Sequence, residues 1–109
     1  MTDEQYNRVL AAARKFQANG GKITTDQFGA VYNQNDGWFA EAGCACALGA
    51  LVVCKQPALA GTCIMQAANI LDCAMDDLWT FTEAFDGASY ANDDPWFQAG
   101  RRMRKELGL

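Results

Sequence analysis

A chain of 109 residues is close to the most common domain size, so the sequence predicts a single domain over residues 1–109. It carries 13 acidic and nine basic side chains, a net charge of −4, and no histidine. This balance argues against a protein that binds mainly through nucleic-acid phosphates, and the missing imidazole excludes every mechanism that needs histidine.

The first residues and the cysteine content favour the cytoplasm. Met-Thr-Asp-Glu-Gln lacks the basic region and apolar segment of a signal peptide, and five cysteines cannot all pair within the chain. The longest apolar stretch, residues 38–54, includes Glu41 and reaches only 17 residues, the lower limit for a membrane span. We therefore predict a soluble cytoplasmic protein with reduced thiols and no membrane association.

The first predicted helix begins with a capping box, because Thr2 is followed three residues later by Gln5. Apolar side chains then recur at helical spacing, at Tyr6, Val9, Leu10, Ala13 and Phe16. The residues Asn19-Gly20-Gly21 end this helix. A second capping box from Thr24 to Gln27 predicts a short helix with Phe28, Val31 and Tyr32, which ends in a turn over residues 33–37.

The third element is the predicted centre of the fold. It runs from Trp38 to Val53, before the break at Pro57, and residues 43–54 contain no charged side chain. Such a run is typical of a helix that other helices surround, so residues 44–53 are the predicted central helix. One face of it is small, with Gly43, Cys46, Ala47, Ala50 and Cys54. A neighbouring helix should pack closely on this face, with an aromatic such as Trp79 or Phe85 filling the remaining space.

Three more helices complete the prediction, and no strand pattern is visible. Gly61-Thr62 opens one helix, whose apolar positions are Cys63, Ala67, Ile70, Leu71 and Ala74. Asp76 or Asp77 caps the next, in which Leu78, Trp79, Phe81, Thr82 and Phe85 face the core. Asp94-Pro95 starts the last, with a buried stripe of Trp96, Ala99, Gly100, Met103 and Leu107. The predicted fold is all-α, a single compact domain of about five helices.

Charge is segregated along the chain. Residues 1–55 hold five acids and five bases, residues 56–100 hold seven acids and no base, and residues 101–109 hold four bases and one acid. Helix electrostatics accounts for part of this pattern, with acids at helix starts and bases in a last turn. The alternative is a docking surface for a charged partner, or a partial mimic of nucleic-acid charge. Its candidate residues are Asp76, Asp77, Trp79, Glu83, Asp86, Asp93, Asp94 and Trp96.

The cysteines are the candidates for metal or redox chemistry, above all Cys44, Cys46 and Cys54. Within a helix Cys44 and Cys46 are separated by about 200° and cannot hold one ion. The other spacings match no zinc or iron–sulfur signature, so we interpret the thiols as small buried apolar groups. No metal and no cofactor is expected.

Motifs for catalysis are also missing. The sequence has no calcium loop, nucleophile elbow, phosphate loop or dinucleotide fingerprint. The adjacent carboxylates Asp76-Asp77 and Asp93-Asp94 resemble helix caps more than an acid/base pair. The basic residues of 101–105 could hold phosphates, but the acidic remainder would repel nucleic acid.

Three hypotheses for the function remain. The first is a non-enzymatic interaction or accessory protein, such as a regulator or inhibitor, that presents residues 76–97 to a protein partner. The second is a small-ligand or metal-binding module that uses the cysteine-lined core, and the third is an enzyme that uses acidic side chains. Self-association into a homo-oligomer stays open. The runs at 46–50, 84–87 and 100–108 resemble small helical proteins of bacteria and phages, a resemblance that implies no activity.

Overall fold

A computed structural model describes residues 1–23, 44–45, 47–52 and 60–109. These residues form five helices and one pair of very short strands, and the predicted all-α fold is confirmed. The elements are α1 (Asp3–Ala18), β1 (Lys22–Ile23), β2 (Cys44–Ala45), α2 (Ala47–Val52), α3 (Ala60–Leu71), α4 (Met75–Phe85) and α5 (Pro95–Glu106). The helix predicted over residues 24–32, the turn at 33–37, and Gly43, Cys46 and Cys54 lie outside the described residues.

The predicted capping box at the start of α1 is confirmed. The hydroxyl of Thr2 accepts a hydrogen bond from the backbone N–H of Gln5 at 3.1 Å. In return, the Gln5 side-chain oxygen accepts one from the Thr2 N–H at 2.8 Å. The predicted apolar stripe faces the core, with Tyr6, Val9, Leu10 and Ala13 buried and Phe16 partly buried against them.

The strand pair corrects the expectation that the chain contains no strand. β1 and β2 run parallel, with Lys22 opposite Cys44 and Ile23 opposite Ala45. Residues 44–45 therefore lie in a strand and not at the start of the central helix. A short apolar run fits a buried strand as well as a buried helix, and only the distant partner strand decides between the two.

The central helix is shorter than predicted, but it is buried as expected. In α2, Leu51 is half-buried and every other residue is buried, including the small side chains of Ala47 and Ala50. This helix packs on α1 and α3. Of the two aromatics named as candidates to fill the space beside the small face, Phe85 is buried in the core, whereas Trp79 is 41% exposed.

Two side chains of α1 cap the carboxyl-terminal end of α3. The last carbonyls of a helix have no partner within the helix, and here two of them accept hydrogen bonds from a neighbouring helix. Gln5 Nε2 donates to the carbonyl oxygen of Leu71, and Arg8 Nη1 donates to that of Ile70, each at 2.9 Å. The chain then turns at Asp72, whose φ of 55° lies in the left-handed region.

The helices α4 and α5 pack closely on each other. The predicted start of α5 is confirmed, with Asp94 as the cap and proline in the first turn. The buried stripe is rotated from the predicted one: Phe97, Gly100 and Met103 are buried, whereas Trp96, Ala99 and Leu107 are only half-buried. Among the described residues, no helix has the length and hydropathy needed to cross a membrane.

Candidate functional site

The eight residues predicted as a docking surface differ in their exposure and in their contacts. Asp94 caps α5, and its Oδ1 accepts a hydrogen bond from the backbone N–H of Trp96 at 2.8 Å. Trp96 is half-buried against the core. Asp86 is a half-buried residue at the end of α4, and Asp93 is exposed in the connection to α5. Asp94 and Trp96 therefore serve the fold at the start of α5.

The sequence of α4 separates into a buried and an exposed side. The buried side chains are Leu78, Phe81, Thr82, Ala84 and Phe85. The exposed side carries Met75, Asp76, Trp79 and Glu83, which we call the α4 outer face. Met75, Trp79 and Glu83 follow at intervals of four residues, so they lie along one side of the helix. Met75 is 43% and Trp79 41% exposed, so this face presents large apolar groups beside acidic ones.

The first turn of α4 shows what two of the predicted acids do. The prediction that Asp76 or Asp77 caps the helix is wrong, because the capping position is Ala74, which makes no side-chain capping bond. Both aspartates lie in the first turn, where the helix dipole favours a negative charge. Asp77 is half-buried, whereas Asp76 is exposed.

A tyrosine adjoins the far end of the outer face. The hydroxyl of Tyr90 donates a hydrogen bond to the carboxylate of Glu83. This bond raises the pKa of Tyr90. The Tyr90 ring, on a residue that is 50% exposed, also packs against Phe97, with 5.0 Å between the ring centroids. Glu83 is thereby held in place at the surface with an aromatic ring beside it.

The basic residues of α5 form contacts within the protein that the sequence did not predict. Arg102 lies 4.3 Å from the ring centroid of Tyr6 and pairs with Glu106 at 3.1 Å. Arg104 donates to the carbonyl oxygen of Phe85 at 3.0 Å, near the end of α4. Tyr6 and Phe85 are far from these arginines in the sequence, so no local pattern could indicate the two contacts, whereas Arg102 and Glu106 have the ordinary i, i+4 spacing of a helix.

The cysteines give no metal centre in the part of the chain that the structure describes. No group of three or more potential metal-binding side chains occurs there. Burial, followed by the carboxylates of Asp77 and Asp72, raises the pKa of the Cys73 thiol, which opposes reactivity at neutral pH. The helical argument that separated Cys44 from Cys46 is wrong for Cys44, because this residue lies in β2.

Comparison of the chain with protein-family models, with curated proteins and with solved structures finds no match. The function is therefore inferred from the geometry of the described residues. In that part of the chain, the α4 outer face combines exposed apolar and acidic side chains on one regular element.

Proposed function

We propose that the protein is a non-enzymatic accessory factor that binds a partner protein through the α4 outer face. One observation carries the proposal: Met75 and Trp79 are 43% and 41% exposed on the same side of a helix whose opposite side is fully used by the core. Single exposed apolar residues are common in soluble proteins, but neighbouring large ones are a feature of interaction sites.

Helix electrostatics does not account for this arrangement. It explains the carboxylates of Asp77 and Asp94, which lie at the starts of α4 and α5. It gives no reason for a tryptophan on the outer side of α4. Tryptophan is among the residues that contribute most to binding energy at protein interfaces, and Trp79 is the expected anchor.

The charges of the outer face define the partner chemistry. Asp76 and Glu83 lie on either side of Trp79 along the helix, and residues 56–100 contain no basic side chain. A partner that brings lysine or arginine side chains around an apolar pocket would complement both features. The partner surface is therefore proposed to be basic at its rim and apolar at its centre.

Affinity capture with matched charge variants tests this proposal. The bait is compared with the double variant Asp76→Lys, Glu83→Lys and with the control Glu4→Lys, Asp93→Lys, which makes the same change in charge at exposed positions off the outer face. We expect a protein retained by the wild type and the control to be lost from the outer-face variant. Circular dichroism checks that both variants keep their helix content. Equal retention by all three baits would refute the proposal.

A further inference from the structure

A cleft of about 340 Å³ lies between α5 and the chain that follows α4. It is lined by Ala84, Gly87, Ala88, Ser89, Arg101 and Arg104. None of these residues belongs to the α4 outer face, so the cleft is a separate feature of the surface. Two arginines on one side and a short polar loop on the other give it a cationic character.

Backbone carbonyls hold both arginines in position. Arg101 and Arg104 are three residues apart on α5 and so project from the same side of the helix. Arg104 Nη1 donates to the carbonyl oxygen of Phe85 at 3.0 Å. Arg101 Nη2 lies 3.4 Å from the carbonyl oxygen of Ala88, and its guanidinium carbon lies 5.0 Å from the centroid of the Phe97 ring. A guanidinium group has five N–H donors, so these contacts leave donors for a ligand.

Neither of these two cations forms an ion pair with another described residue. In that part of the chain, the arginine that forms an ion pair is Arg102, and its partner is Glu106. Arg101 and Arg104 are therefore positioned beside the cleft by neutral carbonyl groups. A planar guanidinium group can donate two N–H groups to a pair of oxygens, which suits both phosphate and carboxylate.

On the loop side of the cleft, Gly87 allows the guanidinium group of Arg104 to approach closely. Gly87 has a φ of +103°, a conformation that favours glycine, and a Cβ built there would lie 2.9 Å from Arg104 Nη1. A side chain at this position would push the guanidinium group away. Ser89 is exposed on the same loop and brings a hydroxyl that can donate to an oxyanion.

We propose that this cleft binds a phosphate group, either as the free ion or as the phosphomonoester of a small molecule. Arg101 and Arg104 supply the charge and paired N–H donors, and Ser89 supplies a further donor. The acidic remainder of the chain repels long polyanions, so a single small phosphate is favoured over nucleic acid.

Nuclear magnetic resonance titration tests the proposal, with inorganic phosphate and glycerol 3-phosphate as the two probes at constant ionic strength. We expect saturable shifts of the Ala88 and Ser89 amides at millimolar probe. The probe that binds more tightly identifies the free ion or the ester as the ligand. Arg101→Gln should weaken binding by roughly tenfold. Lys105→Gln, the same change of charge at an exposed position of α5, should leave it nearly unchanged.

A second variant protects the test against a loss of structure. Ser89→Asp places a negative charge in the cleft without removing either arginine, and it should abolish binding while the remaining amide signals keep their positions. The proposal would be overturned if the amide shifts did not saturate or if sodium chloride reproduced them. Shifts that persist in both Arg101→Gln and Ser89→Asp would overturn it as well.

Discussion

Gly100 of α5 lies directly against the backbone carbonyl of Phe81 in α4. A Cβ built on Gly100 would collide with that carbonyl oxygen and would lie 3.1 Å from the Cβ of Ala84. The two helix backbones can approach this closely because residue 100 has no side chain. The contact fixes α4 from its buried side and so determines which residues the α4 outer face presents.

Gly100→Ala should therefore destabilise the protein, although alanine favours a helix by about 1 kcal/mol over glycine. Overpacking against a rigid backbone typically costs about 1–3 kcal/mol, and we expect a net loss within or just below this range. Urea unfolding followed by circular dichroism measures it. Lys105→Ala, on the exposed side of the same helix, is the control and should change the free energy of unfolding by less than about 0.5 kcal/mol. Stabilisation by Gly100→Ala would mean that the helices can separate without cost.

Gln5 connects the start of α1 to the end of α3, since it takes part in the capping box and donates to the carbonyl oxygen of Leu71 at 2.9 Å. Gln5→Ala removes both functions and should lower the free energy of unfolding by about 1–2 kcal/mol. Gln5→Glu retains the capping acceptor but loses the donor, so its cost should be intermediate. Thermal unfolding measures the stability of both variants. Variants as stable as the wild type would contradict these expectations.

Tyr6 should make stability depend on pH in the alkaline range. Burial, with a further contribution from the Glu106 carboxylate, raises the pKa of Tyr6 to about 12 from an ordinary value of 10.0. Because the folded state holds the proton more tightly, this contribution is complete below pH 10 and is lost as the pH rises towards 12. The loss between pH 10 and pH 12 should amount to roughly 2 kcal/mol.

The variant Tyr6→Phe isolates this effect, because phenylalanine keeps the ring and removes the proton. Its free energy of unfolding should fall less steeply between pH 10 and pH 12 than that of the wild type. In an ultraviolet titration, the ionisation step at the highest pH should be present in the wild type and missing from the Tyr6→Phe variant. Parallel stability profiles for the two proteins would show that Tyr6 titrates normally.

Cys73 should react slowly with iodoacetamide at neutral pH, because burial first, and then Asp77 and Asp72, raise its pKa. Asp77→Asn removes one of these charges and should speed the reaction at this site by roughly threefold. Peptide mapping by mass spectrometry measures Cys73 separately from the other cysteines. Asp93→Asn serves as the control, and an equal rate in both variants would exclude a role for the neighbouring carboxylate.

Local signals in the sequence predicted much of the helical framework. Thr2 with Gln5, and Asp94 with Pro95, are caps that act within one turn, so their helices begin where the pattern indicates. The strand at residues 44–45 could not be predicted in this way, because its partner at residues 22–23 is distant in the chain. Pairing across that distance leaves no periodic pattern in a two-residue strand.

The candidate site was only partly predictable for a related reason. Charge counting identified Asp76 and Glu83, which lie on the α4 outer face. It also included Asp94, whose side chain the fold uses as a cap. Trp79 was expected both at the core and at the surface, and packing settles the choice: Leu78 and Phe81 on the other side of α4 fill the core.

Photo-crosslinking from the α4 outer face tests the proposed docking function most directly. A photoreactive amino acid replaces Met75, which is 43% exposed, and a control protein carries it at Leu109, which is 40% exposed at the end of the chain. Both are illuminated in a lysate of the cells that produce the protein. We predict a discrete crosslinked product from position 75 alone, and its loss when Trp79→Ala is added. Equal products from both positions, or none from position 75, would contradict the account.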